Sequence, residues 1–106
     1  MRPLTNAPWA PSTALRARLA RVRGEVARAL FNGGRLAEAE AELTRALAAA
    51  PGFAALYIQR SLVRERLTML VGAIKDAQMA AQLAPGDAVA KQRLALLAAK
   101  YGRAVA

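Results

Sequence analysis

Apolar side chains recur along this chain at helical intervals. Leu15, Leu19, Val22, Val26 and Leu30 follow one another at spacings of 4, 3, 4 and 4, which is one stripe of an amphipathic helix and predicts that this face is hidden. Ser12 or Thr13 stands where an N-cap belongs, and Asn32-Gly33-Gly34 ends the helix. Upstream, Pro3, Pro8 and Pro11 surround Trp9, a spacing that forbids helix and predicts an extended arm over residues 1–11. A second stripe, Leu36, Ala39, Leu43, Ala46 and Leu47, keeps Glu38 and Glu42 on other faces until Ala50-Pro51-Gly52 stops it. A third helix is predicted from about Phe53 to Arg66 and a fourth from about Met69 to Leu83, closed by Ala84-Pro85-Gly86. A fifth starts at Asp87, a good N-cap, and carries Val89, Leu94, Leu97 and Tyr101. Met69 and Met79 read as core filler. The pattern predicts an all-α protein: an antiparallel helix-turn-helix array of about five helices, forming one domain over residues 12–106 behind the arm.

Composition agrees with helix and narrows the chemistry. Of 106 residues, 28 are Ala and 15 are Leu, while Val and Ile together number 8; helix formers abound and strand formers are scarce. The chain has no Cys and no His, which removes disulfides, thiol nucleophiles, imidazole acid-base chemistry and the commonest zinc and haem ligands. No catalytic constellation emerges from the rest. Glu38, Glu40 and Glu42 alternate along one helix, point in different directions and read as a solvated face. Ser12, Thr13, Thr44, Ser61 and Thr68 have no base to activate them. Gly33-Gly34 lacks the Lys-Ser/Thr of a phosphate loop. The sequence therefore points to a non-enzymatic protein with no cofactor and no metal.

An internal repeat organises the helices. Pro51-Gly52 recurs 34 residues later as Pro85-Gly86, and the same offset pairs Leu36 with Leu70, Ala39 with Ala73, Glu42 with Asp76, Ala46 with Ala80, Ala50 with Ala84 and Ala54 with Ala88. Thirty-four residues arranged as helix-turn-helix is the tetratricopeptide (TPR) period. The stretches from Gly34 to Pro51 and from Leu70 to Pro85 resemble the second helix of such a repeat. The resemblance implies two repeats, about 20–53 and 54–87, and a final helix over 88–102, wound as a right-handed α-solenoid. It implies that Ala39 and Ala73 let the two helices of a repeat approach, and that Ala46 and Ala80 let successive repeats approach. The sequence also departs from the family pattern. The large aromatic of the first helix survives only as Tyr57, with Arg23 and Lys91 at the equivalent sites, and Arg60 and Arg64 stand where packing residues are expected. That helix is expected to be rotated or to snorkel its Arg stems across its neighbour.

Charge then suggests a site. The net charge is +9, and the excess lies in the arm, the first helices of each repeat and the tail, whereas the second helices are near neutral. In the family the first helices line the concave face. That implies a partner-binding surface of Arg21, Arg28, Phe31, Ile58, Gln59, Leu62, Arg66, Arg93, Leu96 and Lys100, suited to an acidic amphipathic peptide or helix of a protein partner. Some family members clamp the acidic tail of heat-shock chaperones; the matching sites here are Gly24, Arg28, Gln59, Val89 and Arg93, and only Arg93 is retained. Contact with RNA or another polyanion within a large particle is the second reading, since the pI is near 11.5. Aromatics for base stacking are few, and Arg outnumbers Lys 13 to 3.

No apolar run reaches the roughly 20 residues that span a bilayer, so no membrane contact and a cytoplasmic location are expected. An Arg-rich, acid-poor N-terminus is also the composition of a mitochondrial transit peptide, which keeps an organellar location as the second reading. Two repeats fall short of the roughly three that stacked arrays need. The sequence thus predicts a subunit of a hetero-complex, or a self-associating chain, with Trp9 as an anchor on the partner or across the first helix.

Overall fold

The computed structural model describes residues 12–105. Their order is α1 (Thr13–Asn32), α2 (Leu36–Ala49), α3 (Ala54–Arg66), α4 (Leu70–Leu83) and α5 (Ala88–Val105), with no strand among the described residues. The all-α array predicted from periodicity is present; the arm and Trp9 lie outside the described residues. Ser12 caps α1, its Oγ accepting from the Leu15 N–H at 3.1 Å. Asp87 does the same for α5, its Oδ1 accepting from the Val89 N–H at 2.9 Å. Each helix packs on its neighbours in sequence, α1 and α3 also meet, as do α3 and α5, and α1 does not approach α4. The array is therefore open, not a closed bundle.

The 34-residue period governs the backbone as well as the sequence. In the α1–α2 turn the Gly34 N–H donates to the Phe31 carbonyl at 3.0 Å and the Arg35 N–H to the Leu30 carbonyl at 2.8 Å; in the α3–α4 turn Thr68 donates to Glu65 and Met69 to Arg64 at the same distances. Gly34 has φ 79° and Thr68 φ 61°. These are the left-handed positions that let each helix close its last carbonyls before the chain reverses. α2 and α4 also begin and end 34 residues apart.

Small residues make most of the core. One cluster joins Ala20, Ala27, Ala39, Leu43, Ala46, Leu47, Leu56 and Val63; a second joins Ala73, Ala77 and Leu97. Ala39, Ala46, Ala73 and Ala80 are fully buried, as the closest helix approaches require. Ala and Gly faces bring helix backbones close but remove little apolar area, so the few large residues, Leu43 and Leu97 above all, carry much of the burial energy at roughly 1.5–3 kcal/mol each.

Two expectations about burial fail. The α1 stripe of Leu15, Leu19, Val22 and Val26 is not the core face: these side chains are 44–52% exposed, and Ala20, Gly24 and Ala27 turn inward instead. The physical reason is position in the array. Leu56, one period after Val22, is buried, because α3 has α1 and α2 before it, whereas nothing described precedes α1. Met69 and Met79 are likewise exposed, not core filler.

Arg60 and Arg64 enter the protein as ion pairs. Arg60 grips Asp76 through two bonds of 2.9 and 2.8 Å, and Arg64 reaches both Asp76 at 3.2 Å and Glu40 at 2.9 Å. Burial lowers the proton affinity of the Arg60 guanidinium, but its hydrogen bond to Asp76 outweighs this and holds its pKa above the ordinary value. Glu40 and Glu42 are accordingly half-buried and paired, Glu42 with Arg23 and Arg45, and do not form the solvated face expected of them.

Candidate partner-binding groove

The face between α1 and α3 gathers six of the residues singled out by sequence. A depression of about 280 Å³ is lined by Arg28, Phe31, Gln59 and Leu62 together with Ala27 and Val63. A second, of about 270 Å³, continues it through the shared Arg28 and Gln59 to Arg21 and Phe53. Together they form one groove along the α1–α3 seam. Its two ends are built alike: the Arg21 guanidinium lies over the Phe53 ring at 5.8 Å and that of Arg66 over the Phe31 ring at 5.6 Å. Such stacking leaves the guanidinium edges available for hydrogen bonds while it covers the ring faces.

Gly24 makes the seam narrow. It is buried in α1, and a Cβ built on it would lie 2.8 Å from Leu56 Cδ2 and 3.2 Å from Gln59 Oε1. Without that Cβ, Gln59 approaches closely enough to donate from Nε2 to the Gly24 carbonyl at 3.3 Å. Phe53 was not among the site residues the sequence suggested, and Gly24 entered only as a position matching the chaperone-tail clamp. An isolated glycine inside an otherwise helical pattern was the available signal.

The remaining sequence candidates fall elsewhere. Arg93 is committed within the chain: it donates to Glu65 at 2.7 Å and to the Oγ and carbonyl of Ser61 at 3.2 and 3.3 Å. Lys100 also pairs with Glu65, at 3.1 Å, and lies over the Tyr101 ring at 5.2 Å. Leu96 is 64% exposed on α5, apart from the groove, and Ile58 is half-buried. Trp9 lies outside the described residues. Basic character in the groove thus comes from Arg21, Arg28 and Arg66, set against Glu25. Arg21, Arg28 and Arg66 enter no salt bridge among the described residues.

Chemically the groove offers adhesion. Its walls are apolar between the cations, Leu62 being 41% exposed at the centre. Ser61, the buried hydroxyl nearest this region, donates to the Ala73 carbonyl at 2.9 Å and accepts from Arg93, so its hydrogen-bonding capacity is used structurally. Among the described residues no cluster of three acidic side chains is placed to hold a metal ion, and no helix is long and apolar enough to cross a membrane. No protein-family model matches the chain, and no curated protein matches it at a significant level.

Proposed function

We propose that this chain is a non-enzymatic adaptor of the tetratricopeptide type, a small subunit or assembly factor that holds an acidic amphipathic segment of a protein partner in the α1–α3 groove. The observation that carries the reading is the groove itself: an apolar floor at Leu62 and Phe31 bordered by Arg21, Arg28 and Arg66. Apolar contacts supply burial energy there, and the unpaired cations steer and orient an acidic ligand. The 34-residue recurrence of turns, helix bounds and buried alanines supports the repeat assignment. A polyanion would find the same charge, but Phe31 and Phe53 are covered by Arg side chains and do not present free stacking platforms.

Affinity purification followed by mass spectrometry identifies the partner, and association kinetics with that purified partner test the site. Arg28→Glu with Leu62→Gln should slow association and speed dissociation while the far-ultraviolet circular dichroism stays unchanged. Unaltered rates at low salt would refute the groove. A complex with RNA whose affinity collapses steeply with salt, and no stoichiometric protein partner, would favour the polyanion reading.

A further inference from the structure

The outer face of α1 is a second surface. Leu15, Leu19, Val22 and Val26 are all exposed and lie at spacings of 4, 3 and 4, on the side of α1 turned away from the buried Ala20, Gly24 and Ala27. Alternation of 4 and 3 is the a/d seam of a coiled coil, and this one runs along about 17 Å of helix at ~1.5 Å per residue.

The charges beside the seam decide what fits it. The flank toward α2 carries Arg16 and Arg23. Arg16 shares a depression with Ala49 and Phe53, and Arg23 donates to Glu42 at 3.2 Å, so Arg23 has its counter-ion within the chain. The opposite flank carries Arg18 and Glu25, both exposed, and neither enters a salt bridge among the described residues. A uniformly acidic partner helix would meet Glu25 with like charge, and a uniformly basic one would meet Arg18. The complement of a flank bearing one cation and one anion is the same flank reversed.

Two copies of α1 running antiparallel about a two-fold axis supply that reversal. They set Leu19 against Val22 and Leu15 against Val26, each pairing occurring twice, and bring Arg18 of each copy to Glu25 of the other. Parallel copies would instead set Arg18 against Arg23, which is repulsive. In the antiparallel arrangement Arg16 approaches Arg23 across the α2 flank, where Glu42 of each copy already neutralises Arg23.

We infer that α1 is the two-fold interface of an antiparallel homodimer, formed by the Leu15, Leu19, Val22 and Val26 seam and held in register by two reciprocal Arg18–Glu25 pairs. The interface stands whether or not the α1–α3 groove holds a partner. Its seam is shorter than the roughly three to four heptads of a sustained coiled coil, so the dimer is concentration-dependent and not obligate.

Sedimentation of the full-length protein over about 5–500 μM at low salt tests it. The protein should pass from monomer to dimer and no further, because a two-fold interface closes on itself. Leu19→Gln with Val22→Gln should stay monomeric. Arg18→Glu and Glu25→Arg, each alone, place like charges at both pairs and should weaken dimerisation by roughly tenfold or more. An equimolar mixture of these two single variants restores both pairs and should dimerise again, as should the double variant. Circular dichroism should be unchanged throughout, because all four side chains are exposed. Glu25 also borders the groove, beside Arg21 and Arg28, so the groove control is Arg28→Glu with Leu62→Gln, which should dimerise normally. A monomer at every concentration would overturn the inference, as would a dimer indifferent to the single charge reversals. Tighter association of Arg18→Glu alone would mean a parallel pairing with Arg23 and would overturn it too.

Discussion

Thr68 holds a φ of 61° one repeat length after Gly34 holds 79°. The backbone at the two turns is the same, but only one of them has the residue suited to it. A β-branched side chain in the left-handed region is strained by about 1–2 kcal/mol, and the Thr68 hydroxyl is confined to donating to the Leu67 carbonyl at 2.6 Å. Thr68→Gly should therefore raise stability by about 0.5–1 kcal/mol once the greater freedom of glycine in the unfolded chain is counted. Urea denaturation checks this as an increase in midpoint with an unchanged slope; a decrease would mean that the turn is not left-handed in solution.

Asp76 is the acid most enclosed by cations, with 4% of its side chain exposed and both Arg60 and Arg64 bonded to it. Asp76→Ala leaves the largely buried Arg60 guanidinium without its counter-ion and Arg64 with Glu40 alone, and should cost about 3 kcal/mol or more. Arg45→Ala removes a surface pair with Glu42, its Arg side chain 60% exposed, and should change stability by less than about 1 kcal/mol. The contrast is measured by chemical denaturation of the two variants side by side.

Glu65 gives acid sensitivity a definite location. Burial raises its pKa, but hydrogen bonds from Tyr101, Arg93 and Lys100 outweigh that and hold it at about 2, against an ordinary value of 4.5. The folded carboxyl binds its proton less readily than the unfolded one. Its contribution to stability is thus complete above about pH 4.5 and is lost as pH falls toward 2. The melting temperature should decline through that window, and Glu65→Gln should melt lower at neutral pH with a shallower decline. An identical pH profile in the variant would show that Glu65 does not couple α3 to α5.

Ala39 and Ala73 are fully buried in α2 and α4. Replacing either with Leu inserts volume that has no space and should cost about 1–3 kcal/mol. Thermal melts of both variants check it, and unchanged melting would contradict the close approach.

Helix number and turns were legible because Pro51-Gly52, Pro85-Gly86 and Asn32-Gly33-Gly34 interrupt a chain otherwise rich in helix formers. The inward face of α1 was not. Large apolar side chains dominate a periodicity argument, yet Ala20, Gly24 and Ala27 are buried because small residues permit the approach, and Leu19 and Val22 are exposed because α1 stands at the end of the described array. Of the candidate site, Arg21, Arg28, Phe31, Gln59, Leu62 and Arg66 share the groove. Arg93 and Lys100 were drawn away by Glu65, 28 and 35 residues earlier in the chain. Helical periodicity carries no information on which distant acid will claim a given cation.

Arg64 spans α2 and α4 through Glu40 and Asp76, and so links the larger apolar cluster to the smaller one. The smaller cluster has three buried members, and α5 is held to the rest by it and by the bonds to Ser61 and Glu65. Amide exchange should consequently be graded along the molecule, with protons of α2 and α3 released only by global unfolding and those of α5 by local opening. A ligand seated in the α1–α3 groove would brace α3, on the slowly exchanging side, and leave α5 free to open and close.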